Sequence, residues 1–499
     1  MVDAVVIGSG PNGLVAACTL ARAGWRVLVL EAQPRPGGAL YSLPTTLPGF
    51  VHDVGAAFFP FAQASPAFRS LALGDVGLQW RTGVYESAHP APNGSCAAIA
   101  RDIDRSAAAF GSDGDAWRGL ARWQMAMGIR LPEALLAPLP DPRPFFKLGL
   151  MNLLQFAEAG LSTAAGYSRR HFRTEAARRV IPALALHVDL GPHDFSGAAL
   201  GLVLALLAAA DGFAVPVGGA RAIVDALLAR LHESGGDIRL GTRVTGIEVR
   251  NRRAVAVTTA VGEEIPFHNA VLADVGAPAL YLRLLPEDDV PGYLRQSIRH
   301  FRYGWGTFKI DWALSGPVPW KSEICRQSAV VHTGDSIDDL AHFTEQARAG
   351  EMPGNPYLVI GQQSMLDSSR APAGCHTLWA YSRVPSRFGG DGWIGKETFA
   401  DRIEKRIEEL APGFRQLILG RAIFAPDDLE RMNENLVGGD LGGGSAQFSH
   451  QFIWRPAFPY FRYRTPVRGV YLCSASAHPG AGVHGACGFN AANMALADF

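Results

Sequence analysis

Residues 1–32, MVDAVVIGSGPNGLVAACTLARAGWRVLVLEA, constrain this chain more than any other stretch. Val5 to Ile7 is a short apolar run of the kind found in buried parallel strands. Gly8, Gly10 and Gly13 follow in G-x-G-x-x-G spacing, with Pro11 and Asn12 between them, and Leu14 to Ala23 continues as a helix closed by Gly24. Val27 to Leu30 is a second strand, ending on Glu31 and Ala32. The three elements make a complete βαβ unit. Gly8 permits the tight turn, Gly10 lets a pyrophosphate approach the backbone, and Gly13 lets the helix pack on the strand. The helix N-terminus presents its positive end to the phosphates. Glu31 stands where an acidic side chain accepts from a ribose hydroxyl, which argues against a 2′-phosphate and so against NADP.

FAD and NAD share this fingerprint; the next stretch separates them. AQPRPGGALYS carries the pair Gly37-Gly38, and GFVHDVGAAFF follows with Asp53 and Gly55. This layout resembles the FAD-binding segment of the phytoene desaturase and amine oxidase flavoproteins. Many members place Arg after the glycine pair; here it is Ala39, with Arg35 as the substitute contact. Further along, 213–285 reads as a helix from Arg221 to Leu231 and strands at Ile238–Leu240, Thr242–Val249, Ala254–Thr259 and Ala270–Leu272. That β-meander matches the family's middle FAD segment, in which the residue at Val244 lies against the adenine. An unliganded meander is the alternative.

The C-terminal stretch RGVYLCSASAHPGAGVHGACGFNAANMALADF starts as a strand, Val470 to Cys473, passes a glycine-rich turn and continues as a helix from His484 to Ala497. In the phytoene dehydrogenase-related branch it resembles, this helix points its N-terminus at the flavin ring. There the helix dipole favours the negative charge of the reduced ring. Ser474, Gly482, Val483 and His484 are the contacts implied. The resemblance extends through LVGGDLGGG, FIWRPAF and YRTPVRGVYLC, and this chain has Ser474-Ala475-Ser476-Ala477 where the family has Gly-Ala-Ser-Thr.

Together these readings predict an α/β chain with a Rossmann-type FAD-binding domain, parallel sheet plus β-meander, and an inserted α+β substrate domain built on an antiparallel sheet. The FAD-binding domain is assigned to 1–56, 213–285 and 438–499, and the substrate domain to 57–212 and 286–437. Phe308, Ile310 and Trp312 alternate with Lys309 and Asp311, which predicts a half-buried strand. Helices are expected at Phe145–Ala159 and Gly197–Ala210. The second, GAALGLVLALLAAA, is too short to span a bilayer and reads as a buried or cavity-lining helix, with shallow membrane contact as the alternative.

Lys+Arg and Asp+Glu are equal at 46 each, so the chain as a whole lacks a nucleic-acid footprint. Six cysteines form no C-x-x-C pair, which removes the disulfide relay and any zinc pattern; no metal is expected. No secretory signal is visible, so a reducing, cytoplasmic setting is the expectation, with peripheral membrane contact implied by an apolar substrate. There is no second complete βαβ unit for NAD(P)H. Electrons then pass between a hydrophobic substrate, the flavin, and oxygen, a quinone or a partner protein. His478 and His484 are the candidate proton carriers, with capping of the turn as the competing role. The leading function is hydride transfer from a hydrophobic substrate to flavin N5, as dehydrogenase or desaturase, with polyene isomerisation or saturation as a variant. An amine oxidase-type enzyme and an FAD-containing assembly protein are the alternatives.

Overall fold

The computed structural model describes residues 1–390 and 392–499. Two seven-stranded sheets organise the chain. The first runs Val244–Arg250, Arg253–Thr259, Glu264–Ala273, Val2–Ile7, Val27–Leu30, Asp237–Arg239, with Val470–Leu472 also paired to Glu264–Ala273. Val2–Ile7 has a parallel neighbour on each side, which explains why Ala4, Val5 and Val6 are fully buried. Helix Pro11–Arg22 packs against Arg221–Glu233 and against the last helix, Ala486–Asp498.

The strand expected at Ala270–Leu272 is the end of a longer one. Glu264–Ala273 pairs antiparallel with Arg253–Thr259 through Glu264 to Pro266. It then runs parallel to Val2–Ile7 and Val470–Leu472. Pro266 disguises the continuity in sequence. The turn between Val244–Arg250 and Arg253–Thr259 has Asn251 and Arg252 at φ +51° and +58°, the left-handed pair that a tight two-residue hairpin needs.

The second sheet runs Ile418–Phe424, Gly306–Leu314, His376–Val384, Val359–Gly361, Ser328–His332, Tyr85–Pro90, Cys96–Ile99. Its neighbours are antiparallel except Ser328–His332 with Tyr85–Pro90, which are parallel. One face packs Phe308, Ile310 and Trp312 beneath helix Lys396–Leu410. The other carries Val330, Val359, Trp379 and Tyr381 toward helices Val180–Ala185 and Gly197–Ala210.

Two expectations are corrected here. Gly306–Leu314 is buried along its whole length, not half-buried. Segment 42–53 covers its second face, where Thr45 donates to Asp311 and His52 lies 3.9 Å from it. The helix expected at Phe145–Ala159 is broken into Arg143–Leu148 and Leu150–Gly160, because Gly149 takes φ +83°. Gly197–Ala210 is a helix as expected, and its cavity-facing residues are described next.

Candidate active site

One cavity of about 820 Å³ runs from the first βαβ turn to the second sheet. At the turn it is lined by Gly8, Gly10, Pro11 and Asn12, by Glu31 and Ala32, and by Gly38 and Ala39. The first helix begins at Pro11 with Gly10 as its cap residue and no side chain capping it, so its positive end stays open to a ligand. A Cβ on Gly10 would lie 2.5 Å from Asp274 Oδ2, and one on Gly38 would lie 2.9 Å from Gly10 Cα. Bare backbone is what makes the cradle.

Glu31 is buried and already oriented. Its Oε2 accepts from the Ser9 backbone N–H at 2.8 Å and from Ser9 Oγ at 2.6 Å, and Oε1 accepts from Gln33 N at 2.8 Å. A carboxylate has about four acceptor sites, so one remains for a ribose hydroxyl. Arg35 also lines the cavity, its guanidinium 5.1 Å from the Tyr41 ring centre. Val244 borders the cavity, as do Ser474, Gly482 and Val483. Gly13 and Gly37 stand behind the lining. Gly13 N donates to Asp274 Oδ2 at 2.9 Å, and Gly37 N to Ser9 O at 3.1 Å.

Neither candidate histidine lines the cavity. His484 is fully buried: Nδ1 accepts from Ala486 N at 3.0 Å, and its carbonyl accepts from Ser65 Oγ. The helix starts at Ala486 with Gly485 as its cap residue, so His484 precedes the helix and its ring accepts the first helical N–H. His478 Nε2 contacts Ala137 O at 3.1 Å, and its carbonyl accepts from Tyr463 at 2.9 Å. Burial pushes both imidazoles down to about 4. Both are therefore neutral near pH 7; the His484 ring serves the backbone of the turn, and the His478 ring ties the turn to Ala137.

Asp274 was not among the sequence candidates. It follows the long central strand; its carboxyl abuts Gly10 and Gly13, and its backbone carbonyl abuts Gly8. Burial, with the nearby charge of Glu31 adding to it, raises its pKa to about 7. Its carbonyl accepts from Asn435, and Asn433 to Leu436 also line the cavity. The sign that could have revealed Asp274 is an acidic residue closing an otherwise apolar strand beside a phosphate turn.

The other half of the cavity is apolar. Phe58, Phe59 and Phe61 meet Leu200 and Leu204 of helix Gly197–Ala210, with Phe213, Val330, Val359 and Trp379 beyond them. His187, Tyr381 and Arg383 are its polar members. The acidic residues of the cavity, Glu31, Asp274 and Glu434, all stand at the cradle.

The sequence model for flavin-containing amine oxidoreductases matches residues 12–492. The chain belongs to this family. A rat protein, pyridine nucleotide-disulfide oxidoreductase domain-containing protein 2, is 26% identical, over 99% of this chain and 93% of its own. Phytoene desaturase (neurosporene-forming) of Rhodobacter capsulatus is also 26% identical, over 96% and 91%. Among solved structures, an oxidoreductase from Methanosarcina mazei superposes with a TM-score of 0.63 at 16% identity, covering 99% of each chain. Cyclohexylamine oxidase from Brevibacterium oxydans gives 0.61 at 14% identity, covering 100% of this chain and 99% of that one. These structures share the fold. The protein is thus an FAD-dependent oxidoreductase of α/β architecture, and the glycine cradle, Glu31 and the open helix end fit that cofactor.

Proposed function

We propose that this flavoenzyme oxidises a hydrophobic molecule by taking hydrogen from carbon, as a dehydrogenase or desaturase. The observation that carries the reading is the apolar half of the cavity, continuous with the cradle and walled by Phe58, Phe61, Leu200, Leu204, Val330 and Val359. Bound FAD supplies a two-electron acceptor. The protein's part is to hold and shield. Gly10, Glu31 and Gly38 hold the nucleotide portion, and Val244 borders the adenosine side. Ser474, Gly482 and Val483 bring backbone toward the ring, and the phenylalanines exclude water. Electrons leave to oxygen, a quinone or a partner protein.

An amine substrate would arrive as a cation. Among the described residues the second sheet contributes no acidic residue to the cavity to receive one, which supports the carbon-oxidation reading over an amine oxidase. The name of the Rhodobacter relative adds to that support.

Substrate reaches this cavity from lipid. Phe146, Leu150, Met151 and Leu154 are all more than half exposed, on the paired short helices at 143–160. The second of these packs against Gly197–Ala210, which also carries Leu200 and Leu204 into the cavity. No helix among the described residues is long and apolar enough to cross a membrane, so the contact is peripheral.

Anaerobic spectra test the function. Flavin bands should bleach on mixing with polyenes or other apolar donors. Bleaching by simple amines alone would overturn the reading, and stable bands with every donor would favour a binding role. Co-sedimentation with liposomes tests the membrane contact, which is rejected if the protein stays wholly in the supernatant.

A further inference from the structure

Three polar side chains meet at the substrate end of the cavity, and the cradle uses none of them. Tyr381 and Arg383 stand two residues apart on one face of strand His376–Val384, and His187 borders the same cavity. The Arg383 guanidinium carbon lies 5.1 Å from the Tyr381 ring centre, and the His187 ring meets Tyr381 edge-on at 6.2 Å.

Arg383 is 4% exposed. Its Nη1 donates to Thr307 Oγ1 at 2.7 Å, and its Nη2 to the His187 carbonyl. Among the described residues no carboxylate lies within 4.0 Å of it. Asp440, which feels the charge of Arg383, turns its oxygens to the N–H groups of Gly304, Gly442 and Gly444. A buried guanidinium with no carboxylate in direct contact is costly, and five N–H donors are more than its two protein partners absorb. The Tyr381 hydroxyl, on a side chain 6% exposed, likewise has no hydrogen-bond partner among the described residues.

His187 is held from behind. Its Nε2 lies 2.8 Å from His332 Nε2, His332 Nδ1 lies 3.0 Å from Ser87 Oγ, and Ser87 Oγ lies 2.9 Å from His89 Nε2. The chain ends at His89 Nδ1, which is buried and unpartnered. If the donors all point toward the cavity, that last atom is a bare acceptor, which is less costly than an orphaned N–H. His187 Nδ1–H is then a donor at the cavity wall.

We propose that Arg383, Tyr381 and His187 form a carboxylate-binding subsite, so that the substrate is an otherwise apolar molecule bearing one carboxylate. This rests on the reading of an apolar substrate given above. The guanidinium supplies the charge and a planar pair of donors, the phenol and imidazole supply two more, and Leu200, Leu204 and Phe213 take the hydrocarbon.

The test uses the FAD-loaded protein and three probes of equal length: octanoate, octanol and octylamine. Binding is read from the perturbed flavin spectrum and from thermal shift. Octanoate should bind at least tenfold tighter than octanol, and octylamine weakest. Arg383→Gln should remove the preference for the acid. Because Arg383 also holds the His187 backbone, Tyr381→Phe provides a second variant. It should weaken octanoate several-fold and leave octanol unchanged. Equal affinity of the wild-type protein for acid and alcohol, or a preference for the amine, would overturn the subsite. Failure of the wild-type protein to take up FAD would instead overturn the reading of the cradle, and thermal shift with octanoate still reads the subsite separately.

Discussion

Lys309 and Asp311 stand two residues apart on one face of a fully buried strand, with the Lys309 ammonium 2.6 Å from each carboxylate oxygen. Alternation in sequence made these two the wet side of a half-buried strand. They are instead the inner part of a buried polar layer with Thr45 and His52, next to Arg370, Asp53 and Asp367.

This layer yields the first prediction. Asp311→Asn leaves a buried ammonium without its counterion and should destabilise the protein by about 3–5 kcal/mol. The double variant Lys309→Met with Asp311→Leu should lose much less. Denaturant unfolding of both decides it; a single variant as stable as the wild type would refute the ion-pair account.

Gly38 takes φ +59°, and its missing Cβ is the space in front of Gly10. Gly38→Ala should weaken FAD binding by roughly tenfold or more, about 1.4 kcal/mol, while the fold persists. Flavin content after purification and FAD titration of the apoprotein measure this. Full retention of FAD would remove Gly38 from the cradle.

Asp274 and the buried histidines should tilt stability in opposite directions with pH. The Asp274 carboxyl is raised from 3.8 to about 7, so the fold favours its neutral form. Its contribution is complete below pH 3.8 and is lost as pH rises toward 7. FAD affinity should fall over the upper end of this window and above it, since an ionised Asp274 repels the pyrophosphate. Asp274→Asn should flatten that dependence. An unchanged pH profile of FAD affinity in the variant would sink the argument.

His478 and His484 are depressed from 6.5 to about 4, so their contribution is present above 6.5 and is lost as pH falls toward 4. His484→Asn, which keeps an acceptor for Ala486 N, should reduce the acid sensitivity of the melting temperature. A variant as acid-labile as the parent would assign that sensitivity to other groups.

Leu204→Trp should fill the apolar half of the cavity without touching the cradle. Substrate-driven bleaching of the flavin should slow by an order of magnitude or more, with FAD affinity unchanged. Equal loss of both would mean that the two halves are not separable.

The cradle was legible because its physics is local. A turn, a helix end and an acidic strand terminus lie within one short stretch, and Gly8, Gly10 and Glu31 report them directly. The first two strands of the meander were readable from their turns, but the third was read only from Ala270 because Pro266 hides its start at Glu264. What escaped notice depends on long-range contact. Asp274 reaches the cradle only through pairing of its strand with Val2–Ile7, and Asn433 arrives from a segment read as part of the substrate half. Lys309 and Asp311 looked solvent-facing because nothing near them in sequence announces that segment 42–53 will cover them. His187 and Arg383 lie far apart in the chain and become neighbours only where the segment after helix Val180–Ala185 packs on the second sheet.

Strand Glu264–Ala273 holds Val2–Ile7 along one edge and Val470–Leu472 along the other. In the order of synthesis, the glycine turn emerges long before its central partner strand exists. The strand feeding the last helix follows only after the whole second sheet has been made. Such a topology closes slowly, since distant segments must meet before either is rewarded. A ligand that bridges the early turn and the late helix stabilises only the closed arrangement. Riboflavin supply during expression then governs the yield of folded enzyme as well as its colour.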